Sequence, residues 1–447
     1  MRNRAMLFCL RQALPHLIYL RIFRPEEGHS KMRSGSYSRS GLWMVPGSGA
    51  GFYNLSNRSD PILASIPNSA IDYPLFLLLC AFGCIGLIAV YASTYHIGSS
   101  YLKSHLLRLG IGFIALLLAM KVNLRRLASR NFQWLMLIIT LGLLVGAIIY
   151  GNIGGEVARR RLGVFQPQEF AKFALIIWLA GYFEELNESG RKQSFINAVV
   201  KPGMVVMVVV GVTLAQPAVG TGVIVAIASF VLFVCAGVRW RYLLTIVVVA
   251  GLLIGAGLKI MPALRNTKFR YIPERWDNFV AGDRYHQQQA LIALGSGGLF
   301  GKGLGEGRQK YYFLPKLHKD FIFCTIGEEF GFLGCSVIFL LYALLLLRMV
   351  KIGEQSATEF GRLLSGGVGA VITVYAMVHI LVSLNVVPCT GQPLPFISYG
   401  GSALVANMFA TGLVLNVSRH KRSGFEEEGI NGRGWNRWPY FPRPGIG

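Results

Sequence analysis

Three carboxylates close a long, basic and mostly polar segment that separates two apolar runs. Asp320 stands where this segment ends, and Glu328 and Glu329 follow about two helical turns later if the next residues form a helix. A carboxylate at a membrane boundary can act as a general base or bind a divalent cation. Asp320 is therefore a candidate for catalysis or cation binding. The alternative interpretation is that Asp320 only caps the following helix.

Glu169 and Lys172 form a second candidate pair at the beginning of another apolar run. Pro167 suits the first position of a helix, and Glu169 then faces the positive end of the helix dipole. Residues three apart share one helix face, so the two side chains can pair. Ionisable groups within a membrane span indicate a function by default. A buried structural ion pair is the alternative.

Two irregular segments accompany these candidates. Residues 385–402 contain three prolines and paired glycines, together with Ser398 and Tyr399. Irregular backbone at membrane depth is tolerated only inside the protein or beside a cavity. Residues 295–305 are rich in glycine but lack the spacing of a nucleotide-binding loop, and no strand precedes them. We interpret His379, alone in its apolar run, as a hydrogen-bonded helix contact.

The composition is that of an integral membrane protein. The 447 residues are 53% hydrophobic and 15% charged, whereas soluble domains have about 25% charged residues. Apolar runs of about 20 residues can cross a bilayer as helices. They predict an all-α fold of about ten transmembrane helices, with a large extracytoplasmic loop between helices 7 and 8. The predicted spans are residues 73–94, 105–121, 131–150, 168–184, 202–217, 221–238, 241–260, 321–348, 363–387 and 401–418.

The distribution of basic residues predicts the orientation. Apart from the two segments named below, Lys and Arg residues between spans fall mainly on the side of the basic N-terminus, which places both termini in the cytoplasm. Cytoplasmic loops that face anionic lipid account for most of the formal net charge of +23, so no nucleic-acid partner is predicted. Two basic segments, Arg159–Arg161 and the loop 259–320, lie on the opposite side. They indicate an anionic ligand outside the membrane, although long loops also translocate whatever their charge.

Three regions are predicted along the chain. Residues 1–70 form a basic, disordered cytoplasmic tail. Residues 71–420 form the ten-helix membrane domain with its large loop at 259–320, and residues 421–447 form a second cytoplasmic tail. Most of the seven cysteines lie within apolar runs, so no disulfide framework is predicted.

Four motifs resemble the SEDS family (shape, elongation, division and sporulation), which includes the FtsW and RodA proteins. They are Gln166-Pro-Gln-Glu-Phe-Ala-Lys172, the segment Arg284–Gly298, Phe313-Leu-Pro followed by His318-Lys-Asp-Phe and Gly327-Glu-Glu329, and Pro393-Leu-Pro-Phe-Ile-Ser-Tyr-Gly-Gly401. The resemblance covers residues 70–420 in order, and it also implies ten helices.

The resemblance implies a peptidoglycan glycosyltransferase that polymerises lipid II on the outer face of the bacterial cytoplasmic membrane. Asp320, in the His-x-Asp-Phe motif, is then the catalytic residue. The implied substrate-binding residues are Arg159, Arg160, Glu169, Lys172, Arg270, Gln289, Lys310, His318, Glu328, Glu329, Ser398 and Tyr399.

The same resemblance implies a divalent cation, Mg or Mn, and no organic cofactor. It does not identify the residues that bind the cation. Its implied partners are lipid II, undecaprenyl-pyrophosphate-linked glycan, a class B penicillin-binding transpeptidase and other membrane proteins of the division complex. Gly303-Leu-Gly305 with Gln309-Lys310 resembles the division branch, FtsW, more than the elongation branch, RodA, and implies septal synthesis.

Three positions depart from the family pattern. Ala218 replaces an acidic residue, Arg161 replaces a tryptophan, and Lys319 replaces a threonine beside Asp320. The first departure removes a charge from the expected cavity but leaves the carboxylate of Asp320 in place.

Three alternative functions stay open: an elongation-type polymerase, a lipid II flippase and a non-catalytic division scaffold. A flippase would also use ten spans and the intramembrane charges of Glu169 and Lys172. Asp320 distinguishes the polymerase from the flippase, because polymerisation depends on this carboxylate at the outer surface, whereas flipping depends more on charges near the midplane.

Overall fold

The computed structural model describes residues 71–95, 98–154, 165–189, 194–216, 218–264, 277, 285–309 and 317–421. All of them belong to one compact unit, Asp60–Gly447, and the other unit, Met1–Ser59, lies outside the described residues. The described residues form helices and no strand, which confirms the predicted all-α fold. The two predicted tails lie outside the described ranges, apart from Lys421.

The helices are numbered here in chain order. They are α1 (Tyr73–Thr94), α2 (Ser100–Ala119), α3 (Leu124–Ala128), α4 (Arg130–Gly154), α5 (Gln168–Glu188), α6 (Lys201–Ala215), α7 (Val219–Cys235), α8 (Trp240–Leu264), α9 (Tyr285–Ser296), α10 (Leu317–Asp320), α11 (Ile322–Glu354), α12 (Glu359–Ser383) and α13 (Gly401–Val417). A π-helical turn, Ile196–Val200, leads into α6.

Each predicted span overlaps one long helix. Within the described ranges, seven helices are long and apolar enough to cross a membrane, and α7 and α13 are apolar but shorter. The count of ten spans stays a prediction. The structure differs from the sequence interpretation around the large loop, because α8 continues beyond Lys259 to Leu264, and α9 lies within the predicted loop.

Close backbone contact fixes α2 against α13. A Cβ atom on Gly412 would lie only 2.5 Å from the carbonyl oxygen of Leu116, so a larger residue would force the helices apart. Small residues allow such close packing between membrane helices, where dispersion and hydrogen bonds drive association. Asn416 adds two side-chain hydrogen bonds, which it donates to the carbonyl oxygens of Ala119 and Val122.

Asp72 joins three helices at one end of the bundle. Its carboxylate accepts the Leu75 N–H at 3.0 Å and caps α1. The same carboxylate forms a bidentate ion pair with Arg348 of α11, at 2.8 and 2.6 Å, and the Asp72 N–H donates to Ser418 Oγ after α13. This end is predicted to face the cytoplasm. Since most of α11 lies between Arg348 and Asp320, Asp320 lies toward the opposite end.

Candidate functional site

Helix α11 is broken near its start. Gly331 has φ 67° and ψ −162° inside the helix, a backbone conformation that is essentially restricted to glycine. The break separates the first turns, which follow Asp320, from the long remainder of the helix. Such a break leaves backbone N–H and C=O groups without their helical partners, and each unpaired group costs several kcal/mol in a membrane.

The glycine-rich loop, residues 297–309, satisfies these groups. Lys302 and Gly303 donate their N–H groups to the carbonyl oxygens of Glu328 and Glu329, at 3.0 and 3.1 Å. Beyond the break, the N–H groups of Phe332 and Leu333 donate to carbonyl oxygens of the loop, those of Gly298 and Leu299. The loop therefore completes the backbone pairing of α11, which is a structural role that its composition alone did not indicate.

The carboxylates of Glu328 and Glu329 hold the same loop. Glu328 accepts the N–H of Arg308 at 2.7 Å and that of Gln309 at 3.3 Å, and it pairs with Lys302 Nζ at 3.3 Å. Glu329 accepts the N–H of Gly305 at 3.0 Å. Both side chains are buried. Their predicted role in substrate binding stays a prediction, and in the structure these groups order the backbone of the loop.

The hydrogen bonding of Asp320 differs from that of Glu328 and Glu329. It is the last residue of α10, and the N-cap position of α11 belongs to Phe321, without a side-chain capping bond. The alternative that Asp320 serves as this cap is therefore wrong. Its Oδ1 atom is buried without a hydrogen-bond partner, and Lys319 Nζ lies 3.8 Å from it. A buried carboxylate oxygen without a hydrogen bond is energetically costly, which makes Asp320 a candidate for a functional role.

His379 of α12 lies near this carboxylate and interacts with it electrostatically. Its Nδ1 lies 2.8 Å from the carbonyl oxygen of Gln392. A carbonyl oxygen only accepts, so Nδ1 carries the proton and Nε2 presents a lone pair. Nε2 is buried and has no hydrogen-bond partner. The hydrogen bond fits the sequence interpretation of His379, but that interpretation missed the open nitrogen.

Glu169 and Lys172 form the predicted ion pair, which the structure confirms. Lys172 Nζ lies 2.6 Å from Glu169 Oε2, and both side chains are only 1% exposed. The same ammonium group lies 3.9 Å from the ring centroid of Tyr375 on α12. Tyr375 and His379 are four residues apart and lie on one face of α12.

A polar row therefore connects this ion pair with Asp320. Tyr375 lies beside Thr221, whose hydroxyl accepts a 2.9 Å hydrogen bond from the amide of Gln392. We define the polar row, in spatial order, as Glu169, Lys172, Tyr375, Thr221, Gln392, His379 and Asp320. It brings the two candidate sites of the sequence together across helices α5, α7, α10 and α12.

A second cluster surrounds Tyr399, between α2 and the segment before α13. The guanidinium carbon of Arg108 lies 4.1 Å from the Tyr399 ring centroid, and His105 and Tyr101 lie beside the same ring. Both ring nitrogens of His105 are buried without a hydrogen-bond partner. Sequence reasoning missed His105 and Arg108, although their position within a predominantly apolar helix was an available signal.

The remaining predicted site residues are placed as follows. Ser398 Oγ accepts the Leu394 N–H at 2.8 Å and so orders its own turn. Gln289 is half-buried on α9, next to Ala290, which belongs to the same buried cluster as Phe321. His318 belongs to α10. Four predicted residues lie outside the described residues: Arg159, Arg160, Arg270 and Lys310.

The predicted cation has no all-protein site within the described ranges, where no group of three or more His, Cys, Asp or Glu side chains is placed to hold a metal ion. Mg²⁺ is commonly held by one or two carboxylates together with substrate phosphates. The open oxygen of Asp320 fits that kind of site. The cation stays a prediction.

Comparison with known proteins identifies the architecture. Residues 72–423 match the family of FtsW, RodA and SpoVE, described as cell cycle proteins. The chain belongs to this family. It is 34% identical over 372 residues to the probable peptidoglycan glycosyltransferase FtsW of Trichlorobacter lovleyi, which covers 78% of this chain and 93% of the relative. It is 33% identical over 365 residues to stage V sporulation protein E of Bacillus subtilis, with coverage of 78% and 98%.

Solved structures of the FtsW/RodA/SpoVE family share the fold. A chain from a structure described as the structural coordination of polymerization and crosslinking by a peptidoglycan synthase complex is 27% identical. It has a TM-score of 0.64 and covers 78% of this chain and 98% of its own length. The crystal structure of Thermus thermophilus RodA is 26% identical, with a TM-score of 0.56 and coverage of 79% and 98%. The predicted family resemblance is thus confirmed, and the chain is a multi-pass membrane protein.

Proposed function

We propose that this chain is a peptidoglycan glycosyltransferase that polymerises lipid II into β-1,4 glycan strands, with Asp320 as the general base. The relatives named as peptidoglycan glycosyltransferases support the reaction class. The observation that supports the assignment of Asp320 is its buried Oδ1 atom, which has no hydrogen-bond partner. Glu328 and Glu329 are poorer candidates, because the glycine-rich loop already donates to their carboxylates.

The reaction requires the base to accept one proton from a hydroxyl group of the acceptor sugar. A hydroxyl oxygen of the acceptor sugar attacks the anomeric carbon of the donor, the bond from that carbon to the pyrophosphate breaks, and the bonding electrons leave with undecaprenyl pyrophosphate. The hydroxyl proton passes to a carboxylate oxygen of Asp320. A base must lie within hydrogen-bond reach of that proton and have a free lone pair, which Oδ1 provides.

The other residues of the polar row prepare the site. His379, with its lone pair at Nε2, can accept a hydrogen bond from a sugar hydroxyl and orient it toward Asp320. Lys172 supplies positive charge that Glu169 partly balances, and Arg108 supplies a guanidinium fork. Such groups suit the pyrophosphate and the negative charge that develops as it leaves. A divalent cation held by the substrate pyrophosphate and Asp320 would add positive charge at the leaving group.

The proposal extends to the setting of the reaction. We place the chain in the bacterial cytoplasmic membrane, with both termini in the cytoplasm and Asp320 near the outer face. Apart from Arg159–Arg161 and the long loop 259–320, basic residues lie mainly in the loops on the side of the termini. A class B penicillin-binding transpeptidase is the proposed partner, which the likeness to a chain of a peptidoglycan synthase complex supports. FtsW among the relatives supports septal synthesis with other division proteins.

The test is glycan polymerisation from labelled lipid II by the purified protein, with its cognate transpeptidase and Mg²⁺ present. Wild type is compared with Asp320→Asn, and Glu188→Gln on the exposed end of α5 serves as a control that removes one charge elsewhere. We expect polymer from the wild type and the control, and at least about 10²-fold slower polymerisation by Asp320→Asn. Equal polymer from all three would remove Asp320 from the mechanism. No polymer from any of them would favour the flippase or the scaffold.

A further inference from the structure

A cavity opens at the end of the bundle that is predicted to face the cytoplasm. Its volume is about 470 Å³, and it lies where α2 turns into α3 beside the end of α13. The lining residues on which the argument rests are Lys121, Asn123, Arg125, Asn416, Arg419 and His420. We call this cavity the basic pocket. His105, near Tyr399, and Lys121 lie about 24 Å apart along α2 at 1.5 Å per residue, so the pocket is separate from the cluster around Tyr399. The pocket lining also includes no residue of the polar row.

Among the residues that the structure describes, three cations of the basic pocket have no acidic partner. Lys121, Arg125 and Arg419 form no ion pair with any described residue. Nearby cations at the same end behave differently, since Arg348 pairs with Asp72 and Arg362 pairs with Glu359. Within the described part of the chain, the pocket is thus a concave surface whose positive charge has no acidic partner.

The wall of the pocket is held in place by hydrogen bonds. Asn416 donates to the carbonyl oxygens of Ala119 and Val122, and the His420 ring donates from Nδ1 to the carbonyl oxygen of Asn416 at 3.0 Å. Asn123 accepts the Arg125 N–H at 3.0 Å and orders the start of α3. The backbone that carries the cations is therefore fixed before any ligand binds.

Helix dipoles offset only part of this positive charge. The C-terminal ends of α2 and α13 both point to the pocket, and each carries about half a negative charge. Together they offset roughly one of the three positive charges of Lys121, Arg125 and Arg419. The positive-inside rule accounts for basic residues at this end, but it does not require them to line one cavity without acidic partners.

The pocket also borders a helix surface suited to lipid. Leu117 and Leu118, in the last turn of α2, are 52% and 60% exposed and lie four and three residues before Lys121. A headgroup that enters the pocket would therefore leave its acyl chains beside an apolar surface. Arginine offers a fork and lysine a point charge for phosphate oxygens, and basic pockets between helices on the cytoplasmic side bind anionic headgroups.

We propose that the basic pocket binds a phosphate-bearing anion, through Lys121, Arg125 and Arg419, at the end of the bundle opposite Asp320. Two sources share this chemistry, the headgroup of an anionic phospholipid and a soluble phosphate compound. The proposal does not depend on the polymerase reaction, because the pocket and the polar row have no residue in common.

The experiment measures binding to the purified full-length chain in detergent by native mass spectrometry. The probes are phosphatidylglycerol, phosphatidylethanolamine as the zwitterionic control, and inorganic pyrophosphate as a soluble competitor. The test variant is Lys121→Gln/Arg125→Gln/Arg419→Gln. The matched control, Lys201→Gln/Arg241→Gln/Lys351→Gln, removes the same charge from exposed positions away from the pocket.

We expect phosphatidylglycerol to bind wild type and control alike and the test variant at least about tenfold more weakly, since each basic residue contributes to anionic-lipid binding. If phosphatidylglycerol binds more tightly than phosphatidylethanolamine and pyrophosphate does not displace it, the site binds a lipid headgroup. If pyrophosphate displaces phosphatidylglycerol, the site binds a soluble phosphate. Equal losses in test and control variants would overturn the proposal. If the triple variant does not fold, Arg125→Gln alone should weaken binding about fivefold, and an unchanged affinity would contradict the site.

A third result would also overturn the proposal. If the acidic segment Glu426–Glu428 occupies the pocket, the full-length test variant and control would bind the lipid equally. Deletion of residues 423–447 would then make the wild-type pocket accessible and restore the difference between them. That outcome would assign the pocket to the chain itself and not to an external anion.

Discussion

Asp320 and the Glu328–Glu329 pair lie within one short stretch of chain but in opposite hydrogen-bonding environments. Backbone N–H groups of the glycine-rich loop donate to both glutamates, whereas Oδ1 of Asp320 is buried without a donor. Three carboxylates that look equivalent in sequence thus divide into two that stabilise backbone and one that can accept a proton. The hydrogen-bond partners, and not the residue type, distinguish the three carboxylates.

The largest effect should follow from Asp320→Asn. The amide keeps the shape of the side chain but cannot take the hydroxyl proton, and a positioned general base contributes about 10²–10⁴ in rate. Polymerisation should fall by that factor, while the thermal midpoint stays near that of wild type because no hydrogen bond to Oδ1 is lost. Initial rates with labelled lipid II and a melting curve on the same sample measure both quantities.

For Glu328→Gln we expect a loss of stability and not of the catalytic rate of the folded protein. Its carboxylate accepts the N–H groups of Arg308 and Gln309 and pairs with Lys302, and hydrogen bonds to charged groups contribute about 1.5–3 kcal/mol. The variant should unfold at a lower temperature, and proteases should cleave within residues 297–309. Glu188→Gln is the control, and a Glu328→Gln protein as stable as this control would show that the loop does not need the carboxylate.

Two substitutions of His379 separate the roles of its two ring nitrogens. Asn can place its amide near the Nδ1 position and keep the bond to the Gln392 carbonyl, but it removes Nε2. Gln can reach the Nε2 position but gives up that bond. We expect His379→Asn to lower polymerisation about tenfold at unchanged stability, and His379→Gln to cost about 1 kcal/mol of stability.

For this prediction, kcat and KM are measured separately together with the melting temperature. A role for His379 in orienting the acceptor hydroxyl requires the activity loss to exceed the stability loss in the Asn variant. If both variants lose stability and activity in parallel, His379 is only a packing residue of α12.

The smallest effect concerns the departure at position 218. Ala218 occupies the N-cap of α7 and provides no side-chain capping bond, whereas the family resemblance implies an acidic residue there. Ala218→Asp should supply the missing acceptor and a favourable charge at the helix start, for a gain of about 1 kcal/mol. Thermal unfolding measures this gain, and a lower midpoint would show that the local packing around Ala218 rejects the carboxylate.

The sequence predicted the features that depend on local pattern. Apolar runs located the long helices, and the spacing of Glu169 and Lys172 predicted their ion pair, because both depend on helix periodicity alone. The break at Gly331 was not predicted, since its cost is offset by hydrogen bonds from the distant residues Gly298 to Gly303. The residues next to Gly331 in the sequence do not indicate the break.

The candidate site shows the same limit. Sequence reasoning left Asp320 either as a base or as a helix cap, and the N-cap position of Phe321 removes the cap. The role of Asp320 as a base stays a proposal. The position of Arg108 and His105 within an apolar helix was an available signal, but their shared neighbour, Tyr399, lies far away in the chain. Long-range packing places these side chains together, and no single-sequence pattern encodes it.

The most direct test measures polymerisation rate and thermal midpoint side by side for Asp320→Asn and Glu328→Gln. We predict that Asp320→Asn loses at least about 10²-fold in rate with an unchanged midpoint, and that Glu328→Gln loses stability while the fraction that stays folded still polymerises. A stable Glu328→Gln protein without activity, beside an active Asp320→Asn protein, would contradict the account and transfer the role of the base to Glu328.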